Sequence, residues 1–453
     1  MIERVSVVGL GKLGLGLALS LANAGFRTLG VDVNEANVRL LGRRRTPIVE
    51  PQYQDLLEQV GDNFEATLDH ERAIRETDVT FILVATPSDA SGRFSSRDVE
   101  SAAQSLGRAL RLSGKPDHLF VISSTLVPGT VESRIVPLLE CASGRRLNDG
   151  FSVCYDPDFV ALGSVVHDFT HPELVVIGES RPEAGERVAA IHHRMCQTAP
   201  TIARMPIVSA EISKVALNAY ITLKITFANT LANLCEVIPG ADVDAVTRAI
   251  GVDRRISPYY FKGGLAFGGT CFPRDTYGFR SICREHGQDA SLVETVATLN
   301  DRQNERLADT VLTHARSNAP VAVLGLAFKS STPVIEASPA IAVVDALLVA
   351  GHDVRVYDTL ALDAVNDRYG DKLYYGSSAA DALKGAGLAV LTLGEPALMK
   401  AIEHWTPGDG VTVIDCWRAL KGVILNPRVT YIPIGRYTEK RAQPFDTQTA
   451  KVA

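Results

Sequence analysis

The length, composition and charge of the chain are those of an ordinary folded protein with several domains. It has 453 residues, of which 46% are hydrophobic and 22% charged, and 46 basic against 52 acidic side chains leave a net charge of -6. This length corresponds to about three domains of about 150 residues each. Without a basic excess to neutralise phosphates, nucleic acid is not expected as a partner.

The cysteines and the amino-terminal segment exclude other classes. Seven cysteines are scattered along the chain without a C-x-x-C pair, so neither a disulfide framework nor a metal site is indicated, and a reducing cytoplasm fits best. The apolar amino terminus contains Lys12 and four glycines. We therefore predict no signal peptide, no membrane span and no membrane partner.

The chain begins with the pattern of a dinucleotide-binding unit. Ile2–Val8 is β-branched and apolar, and the turn Gly9-Leu10-Gly11-Lys12-Leu13-Gly14 leads into a helix ending near Ala24 and a strand ending at Asp32. In such units the first glycine makes the tight turn, the second admits a pyrophosphate and the third allows close helix packing. Asp32 would bind a ribose 2′-hydroxyl and repel a 2′-phosphate, which favours NAD over NADP. The alternative is a merely tight strand-to-helix turn.

Two further buried strands are predicted at 78–85 and Leu119–Ser123, followed by Thr86-Pro87 and by Thr125. Ligands bind beyond the carboxyl ends of strands in open α/β sheets, so these residues are placed to line the cofactor cleft. Thr-Pro is also common in turns, which is the alternative explanation.

A long helix is predicted from about Ser209 to Val237, because this stretch has no internal proline or glycine. Its length suits a domain connector or the spine of a dimer. Lys214 and Asn218 are four residues apart and therefore share one face. Lys214 has mostly apolar neighbours, so a partly desolvated functional lysine is an alternative to an ordinary solvated one.

The segment Gly263–Asp275 reads GGLAFGGTCFPRD and presents Cys271 beside Arg274 and Asp275. A thiol near a cation and a carboxylate, on a backbone that glycines allow to bend, is typical of a nucleophile. A small buried cysteine is the alternative. Upstream, Arg255 offers a planar fork suited to phosphate or carboxylate.

A third lobe follows the polar linker at 316–320. Val321–Leu326 repeats the opening strand and turn, and a helix from Ala340 and a strand ending at Asp358 repeat the pattern that closes at Asp32. Ser338-Pro339 resembles the N-cap and first position of that helix. This second copy lacks the full glycine motif, so we expect it to bind a different nucleotide. The predicted fold is α/β, with two Rossmann-like doubly wound lobes joined by a long central helix. The predicted domains are 1–205 (NAD-binding), 206–316 (helical, with the cysteine loop and the possible dimer spine) and 317–453 (Rossmann-like, for a second nucleotide).

Together these motifs resemble the UDP-glucose/GDP-mannose dehydrogenase family, and the resemblance covers nearly the whole chain. The matching stretches are Gly9–Gly14 with Asp32, 46–51 (TPIVEP), Thr86-Pro87, Ser124-Thr125 with 128–130, Ala210-Glu211 with Lys214 and Asn218, 251–256, 267–275, and 325–329 with 338–340.

The resemblance implies a four-electron oxidation of a sugar 6-alcohol to a carboxylate with two NAD. Cys271 would capture the intermediate aldehyde as a thiohemiacetal that is then oxidised to a thioester. Lys214 and Asn218 would stabilise oxyanions, and Asp275 and Thr125 would position the water, with Asp275 as the base. The implied cofactor-binding residues are Gly9, Gly11, Lys12, Leu13, Gly14, Asp32, Thr86, Pro87, Thr125 and Arg274. The implied substrate-binding residues are Asp158, Phe159, Lys214, Asn218, Arg255 (toward the substrate of a partner subunit), Phe267, Gly268, Phe328, Lys329 and Arg418.

Several residues depart from the family pattern. Leu162 stands in place of a carboxylate, Arg274 in place of a lysine, and Pro333, Val334 and Glu336 in place of paired aspartates followed by an arginine. We expect a cytoplasmic homodimer, paired through the central helix, that oxidises UDP-glucose or TDP-glucose. The alternatives are a catalytically impaired NAD- and nucleotide-sugar-binding homologue and a two-electron dehydrogenase of the hydroxy-acid type.

Overall fold

The computed structural model describes residues 4–89, 92–408 and 410–438. It divides into two compact units. The first unit contains Met1–Asn218 and Arg274–Ala290, and the second contains Ala219–Pro273 and Ser291–Ala453. Two long helices therefore contribute residues to both units.

A largely parallel sheet forms the centre of the first unit, in the order β3-β2-β1-β4-β5-β7-β8-β9, with β6 paired to β7. Its neighbouring strands are parallel except for β7 and β8, which are antiparallel. The strands are β1 (Arg4–Val8), β2 (Arg27–Val31), β3 (Phe64–Thr67), β4 (Val79–Ile82), β5 (Leu119–Ile122), β6 (Arg146–Leu147), β7 (Gly150–Tyr155), β8 (Leu174–Glu179) and β9 (Thr201–Met205).

Helices cover both faces of this sheet. Successive residues of a strand point to opposite faces, so Val7 and Val8 belong to two different hydrophobic clusters. The helices are α1 (Lys12–Asn23), α2 (Glu35–Gly42), α3 (Tyr53–Gln59), α4 (His70–Glu76), α5 (Arg97–Ser113), α6 (Val136–Ser143), α7 (Val165–Thr170), α8 (Pro182–Met195), the first part of α9 (Ile207–Val237) and most of α11 (Phe272–Glu285).

The second unit has a six-stranded parallel sheet in the order β12-β11-β10-β13-β14-β15. Its strands are β10 (Val321–Leu324), β11 (Val354–Tyr357), β12 (Tyr374–Tyr375), β13 (Leu388–Leu391), β14 (Val411–Asp415) and β15 (Val429–Pro433). Its helices, besides the rest of α9, are α10 (Val243–Gly251), α12 (Ser291–His314), α13 (Pro339–Val349), α14 (Leu362–Tyr369), α15 (Ala379–Ala382) and α16 (Pro396–Glu403).

The two sheets place their strands in the same relative order, with the first strand of each unit between the second and the fourth. This arrangement confirms the predicted pair of Rossmann-like lobes and the long central helix, here α9. Ser338 is the N-cap of α13 and Pro339 its first residue, as the sequence indicates. The predicted strand at 78–85 is shorter, because only Val79–Ile82 pairs with neighbours on both sides. The three-domain division stays a prediction.

Candidate active site

The glycine turn after β1 has the geometry that a dinucleotide phosphate requires. Gly9 has a positive φ of 94°, and an added Cβ there would clash with the carbonyl of Leu83. At Gly14 an added Cβ would clash with the carbonyl of Gly9, so the helix and the turn touch through backbone. The space beside Gly11 is open, with no atom within 4 Å of an added Cβ. The first N–H groups of α1, at Lys12 and Leu13, have no intrahelical acceptor and can bind an anion there.

Asp32, at the end of β2, keeps acceptor capacity for a ribose. Its Oδ2 accepts the N–H of Leu10 at 2.7 Å, and its Oδ1 accepts the N–H of Asn34 at 2.8 Å. Each carboxylate oxygen can accept a second hydrogen bond. Together with the open space at Gly11, this geometry fits NAD.

Asp358 has the position in the second unit that Asp32 has in the first, but it has fewer hydrogen-bond acceptor sites left for a ligand. Its two oxygens accept four backbone N–H groups, at distances between 2.6 and 3.1 Å, from Leu326, Ala327, Leu360 and Ala361. These bonds use its acceptor sites, so Asp358 organises its own turn and cannot serve a ribose as Asp32 can.

The segments that follow β4 and β5 are hydrogen-bonded to each other. The hydroxyl of Ser124 accepts the N–H of Val84 at 2.9 Å and donates to the carbonyl of Val84 at 2.8 Å. Thr86 and Thr125, which follow these residues, are both buried. The structure thus brings the two predicted cleft segments together.

Lys214 is buried on α9 and is held by the loop after β7. Its ammonium group donates to the carbonyl of Asp158 and lies 3.7 Å from the carboxylate of the same residue. It also lies 5.3 Å from the centre of the Phe159 ring. Of the two alternatives that the sequence left open, Lys214 is thus the desolvated lysine and not the solvated one, and Asp158 balances its charge.

One turn further along α9, Asn218 belongs to a buried polar network. Its amide donates to Oδ2 of Asp275 at 2.6 Å, and the Nε of Arg274 donates to Oδ1 of Asp275 at 2.8 Å. Arg274 also donates to the hydroxyl of Thr125 at 3.3 Å. The Asp275 side chain is fully buried. Hydrogen bonds thus connect three segments that lie far apart along the chain, at Thr125, Asn218 and Arg274-Asp275.

Glu211, one turn before Lys214, holds the segment that follows Thr125. Its carboxylate accepts the N–H of Gly129 at 2.6 Å and that of Val131 at 3.0 Å. Burial raises the pKa of Glu211 to about 7, because these two N–H groups offset only part of the desolvation, and Glu132 adds to the rise. The sequence showed Glu211 as part of a motif but gave no sign of this role.

The cysteine loop lies in the second unit. Cys271 directly precedes α11, which carries Asp275 in its first turn, and the hydroxyl of Thr270 is 3.6 Å from its sulfur. The thiol is free and partly exposed. A side chain at this position lies at the positive end of the helix, which favours negative charge.

Two glycines of this loop are required by close packing. An added Cβ at Gly268 would clash with the carbonyl of Ala337, and one at Gly269 would lie 2.6 Å from the Phe328 ring. The N–H of Gly269 donates to the carbonyl of Glu336 at 2.9 Å. The segment 328–337 of the C-terminal lobe therefore packs directly on the loop that presents the thiol.

The guanidinium of Arg418 is bound by protein groups. It makes a bidentate pair with Asp244, with both N–O distances 2.8 Å, and donates to the carbonyls of Gly263 (2.8 Å) and Ile434. Arg418 thereby ties α10 and the start of the cysteine loop to the end of the C-terminal lobe. The sequence did not predict Asp244, because a pairing with Arg418, 174 residues further along the chain, leaves no local pattern.

The remaining predicted cations differ in exposure and contacts. Arg255 is exposed and paired with Asp253 at 2.7 Å, whereas the Lys329 ammonium lies 5.8 Å from the ring of Phe328. Cys271 belongs to the second compact unit, and Lys214, Asn218, Asp275 and Thr125 belong to the first.

Comparison with known proteins decides the family. Three family models match consecutive parts of the chain: the NAD binding domain of the UDP-glucose/GDP-mannose dehydrogenase family at residues 3–196, its central domain at 208–302 and its UDP binding domain at 322–422. The chain belongs to the UDP-glucose/GDP-mannose dehydrogenase family. It is thus an oxidoreductase of the nucleotide-sugar 6-dehydrogenase type with an NAD-binding domain, which confirms the resemblance and the cofactor predicted from the sequence.

Individual members of the dehydrogenase family align over most of their length. A UDP-glucose 6-dehydrogenase of Haloferax volcanii is 38% identical over 392 residues, which are 85% of this chain and 90% of the relative. A GDP-mannose 6-dehydrogenase of Pseudomonas putida is 32% identical over 359 residues, 78% of this chain and 80% of the relative. The structure of a UDP-glucose dehydrogenase from Pyrobaculum islandicum has a TM-score of 0.86 at 30% identity, covering 96% of this chain and 98% of that one.

Two of the residues that depart from the family pattern make contacts within the fold of this dehydrogenase. Leu162 packs against a hydrophobic cluster of the first unit. Glu336 contributes its backbone carbonyl to Gly269. Across the described ranges no helix is both long and apolar enough to cross a lipid bilayer, and no group of three or more histidine, cysteine or acidic side chains is arranged to hold a metal ion.

Proposed function

We propose that this protein oxidises a nucleoside-diphospho-hexose, UDP-glucose or TDP-glucose, at C6 to the uronic acid through a covalent intermediate on Cys271. The observation that carries the proposal is the buried network of Asn218, Asp275, Arg274 and Thr125, with Cys271 immediately before the helix that carries Asp275. This set supplies a nucleophile, a base and hydrogen-bond donors, which the two oxidations and the hydrolysis need.

In the first oxidation, the sugar 6-alcohol loses a proton and a hydride and becomes an aldehyde. The glycine turn and Asp32 would hold NAD, which when bound would supply the hydride acceptor for each oxidation. Lys214 and Asn218 donate to the sugar oxygen as negative charge develops on it. Asp158 and Phe159 keep the Lys214 ammonium in place, because they bind it from the loop after β7.

In the second stage, the Cys271 sulfur adds to the aldehyde carbon and the thiol proton passes to the aldehyde oxygen, so C6 of the thiohemiacetal carries a hydrogen and a hydroxyl. Loss of the hydroxyl proton to water and of the C6 hydrogen as a hydride leaves a thioester. Covalent capture keeps the intermediate bound between the two oxidations.

Hydrolysis of the thioester releases the acid and regenerates the thiol. The Asp275 carboxylate removes a proton from the attacking water, and the Thr125 hydroxyl helps to orient that water. Asn218 and Arg274 fix both oxygens of Asp275, so the base has a defined orientation.

The C-terminal lobe would bind the nucleotide of the sugar, with Phe267, Gly268, Phe328, Lys329 and Arg255 as contacts. Arg418 would stabilise the fold of this lobe and not contact the nucleotide, since Asp244 and two carbonyls already bind its guanidinium. The relatives include both UDP-glucose and GDP-mannose enzymes, so the base is the open part of the substrate. The match to a UDP binding domain model supports the assignment of the nucleotide to this lobe.

We also propose a cytoplasmic homodimer that pairs through α9. Tyr220, Phe227 and Leu234 are seven residues apart on this helix and are 63%, 53% and 52% exposed. Residues at this spacing share one face, and a stripe of large exposed apolar side chains is typical of a protein interface. A second copy of the chain would cover it.

The test is a panel of UDP-glucose, TDP-glucose and GDP-mannose with NAD, followed by NADH absorbance. The proposal predicts two NADH for each molecule of UDP-glucose or TDP-glucose. One NADH for each sugar would instead support a two-electron dehydrogenase.

A second candidate is an impaired homologue that binds NAD and the nucleotide sugar without turnover. It is motivated by Leu162, which stands where the family pattern has a carboxylate. NAD and UDP-glucose binding by calorimetry with no NADH from any sugar would favour it.

A further inference from the structure

The backbone of the cysteine loop is held by amide side chains of α9 and α12. We call Asn229, Asn300 and Gln303 the amide clamp. The Oδ1 of Asn229 accepts the N–H of Gly264 at 2.8 Å, and its Nδ2 donates to the carbonyl of Leu265 at 2.9 Å. All three clamp side chains are buried.

The other two clamp residues bind the same loop from α12. Asn300 accepts the N–H of Phe267 at 2.8 Å and donates to the carbonyl of Phe267 at 3.0 Å. Gln303 donates to the carbonyl of Gly264 at 2.6 Å, and its oxygen accepts the amide of Asn233 at 2.9 Å. Asn233 therefore fixes which end of Gln303 faces the loop.

The loop needs these partners because it lies outside any helix or strand and is buried. Buried backbone N–H and C=O groups require hydrogen bonds, and a side-chain amide offers both a donor and an acceptor. The loop also has little freedom to move, since an added Cβ at Gly264 would lie 2.8 Å from the Trp417 ring. Five hydrogen bonds from three side chains thus fix the path of the chain up to Phe267.

The constraint continues toward the thiol. Gly269 is bound to the carbonyl of Glu336 at 2.9 Å, and Cys271 follows two residues later. We propose that the amide clamp positions the Cys271 sulfur for attack on the sugar aldehyde. Asn229, Asn300 and Gln303 are positioning residues, which act through the backbone of Gly264–Phe267. This inference rests on the proposed function of Cys271.

Two variants remove clamp hydrogen bonds with little change of shape. In Gln303→Glu the donor to Gly264 is lost, whereas the acceptor for Asn233 is kept. In Asn300→Asp the acceptor for the Phe267 N–H is kept, but a carboxylate oxygen faces the Phe267 carbonyl. Asn304→Ala is the matched control, because Asn304 is also on α12 and its Oδ1 has no hydrogen-bond partner.

Each protein is assayed for kcat, for the KM of NAD and for melting temperature. Reaction of Cys271 with iodoacetamide is measured by peptide mass spectrometry relative to the exposed Cys141. We expect kcat to fall about ten- to a hundred-fold in each clamp variant, because a shift of about 1 Å in a reacting group has effects of this size. The KM of NAD should stay within about two-fold, since the glycine turn that would bind NAD belongs to the other compact unit. The Cys271/Cys141 labelling ratio should rise about three-fold or more as the loop loosens.

Folded clamp variants with unchanged kcat and labelling ratio would overturn the inference, as would the same changes in Asn304→Ala. If Asn300→Asp does not fold, Gln303→Glu decides, because it removes a single bond. The labelling ratio needs no turnover. A wild-type protein that makes no NADH would thus refute the proposed function, while labelling still tests the positioning.

Discussion

The Asn218 amide donates to the Asp275 carboxylate at 2.6 Å across 57 residues of chain, and Asp275 is completely buried. Asn218 lies on α9, and Asp275 lies in the first turn of α11. A buried carboxylate needs such donors, and their directions fix its orientation. This pair therefore joins the proposed oxyanion donor to the proposed base.

Replacing Asp275 with asparagine tests the base directly. The variant keeps the shape of the side chain but cannot accept a proton, so we expect kcat for NADH formation to fall about a hundred- to a thousand-fold. Binding of UDP-glucose by calorimetry should change little. Asp309→Asn, an exposed position on α12, is the control. Equal kcat values for Asp275→Asn and the wild type would contradict the assignment.

Glu211 should make the protein less stable as the pH rises from the mildly acidic range to neutrality. The pKa of this buried carboxyl is about 7 in the folded state, above that of the unfolded chain, so the folded state binds the proton more tightly. The associated stability is present below about pH 4.5 and is lost as the pH rises to about 7, by about 3 kcal/mol. Urea unfolding of Glu211→Gln should lack this loss, and an identical pH profile in both proteins would refute it.

The buried pair of His192 and Asp156 should give a second loss of stability with rising pH, this one on the alkaline side. Burial alone would lower the pKa of His192, but the Asp156 carboxylate, 2.8 Å away, and Cys196 raise it to about 10. The stability that the pair contributes is complete below about pH 6.5 and is lost as the pH rises to about 10, a loss on the order of a few kcal/mol.

His192→Gln should remove that alkaline loss in urea unfolding. His193→Gln, on the exposed side of α8, should keep it, because its imidazole is not in the pair. A profile for His192→Gln that follows the wild type from pH 6.5 to 10 would show that the pair does not stabilise the fold.

Arg418→Lys tests the bidentate pair with Asp244. A lysine cannot reproduce the planar fork, and both the carboxylate and the carbonyl of Gly263 lose a donor, so we expect a loss of about 2–4 kcal/mol in the free energy of unfolding. Lys421→Ala breaks a half-exposed pair with Asp242 at 3.2 Å and should cost under about 1 kcal/mol. Similar values for the two variants would contradict the role given to Arg418.

The sequence predicted the parts of the fold that local patterns determine. The strand, the glycine turn and Asp32 lie within a short stretch, and each residue type has its own backbone or hydrogen-bonding reason, so the first lobe could be read directly. The repeated pattern up to Asp358 showed the second lobe for the same reason. It did not show that Asp358 is saturated by four N–H groups, because turn geometry decides that.

Contacts between distant segments could not be read in this way. Asp244 and Arg418 are 174 residues apart, and an arginine in a sequence shows no sign of which carboxylate it will meet. Arg418 was therefore predicted as a ligand contact by resemblance. Similarly, Asn300 and Gln303 have the spacing of ordinary helix residues, and their hydrogen bonds to the cysteine loop depend on how α12 packs.

The most direct test of the covalent step compares Cys271→Ser with the wild type, as NADH released per molecule of UDP-glucose together with assay of the acid. The wild type should release two NADH and one uronic acid. Cys271→Ser should stall before the acid is released, because serine cannot form the thioester that water cleaves. Full turnover to the acid by Cys271→Ser, at two NADH per sugar, would contradict the proposed mechanism.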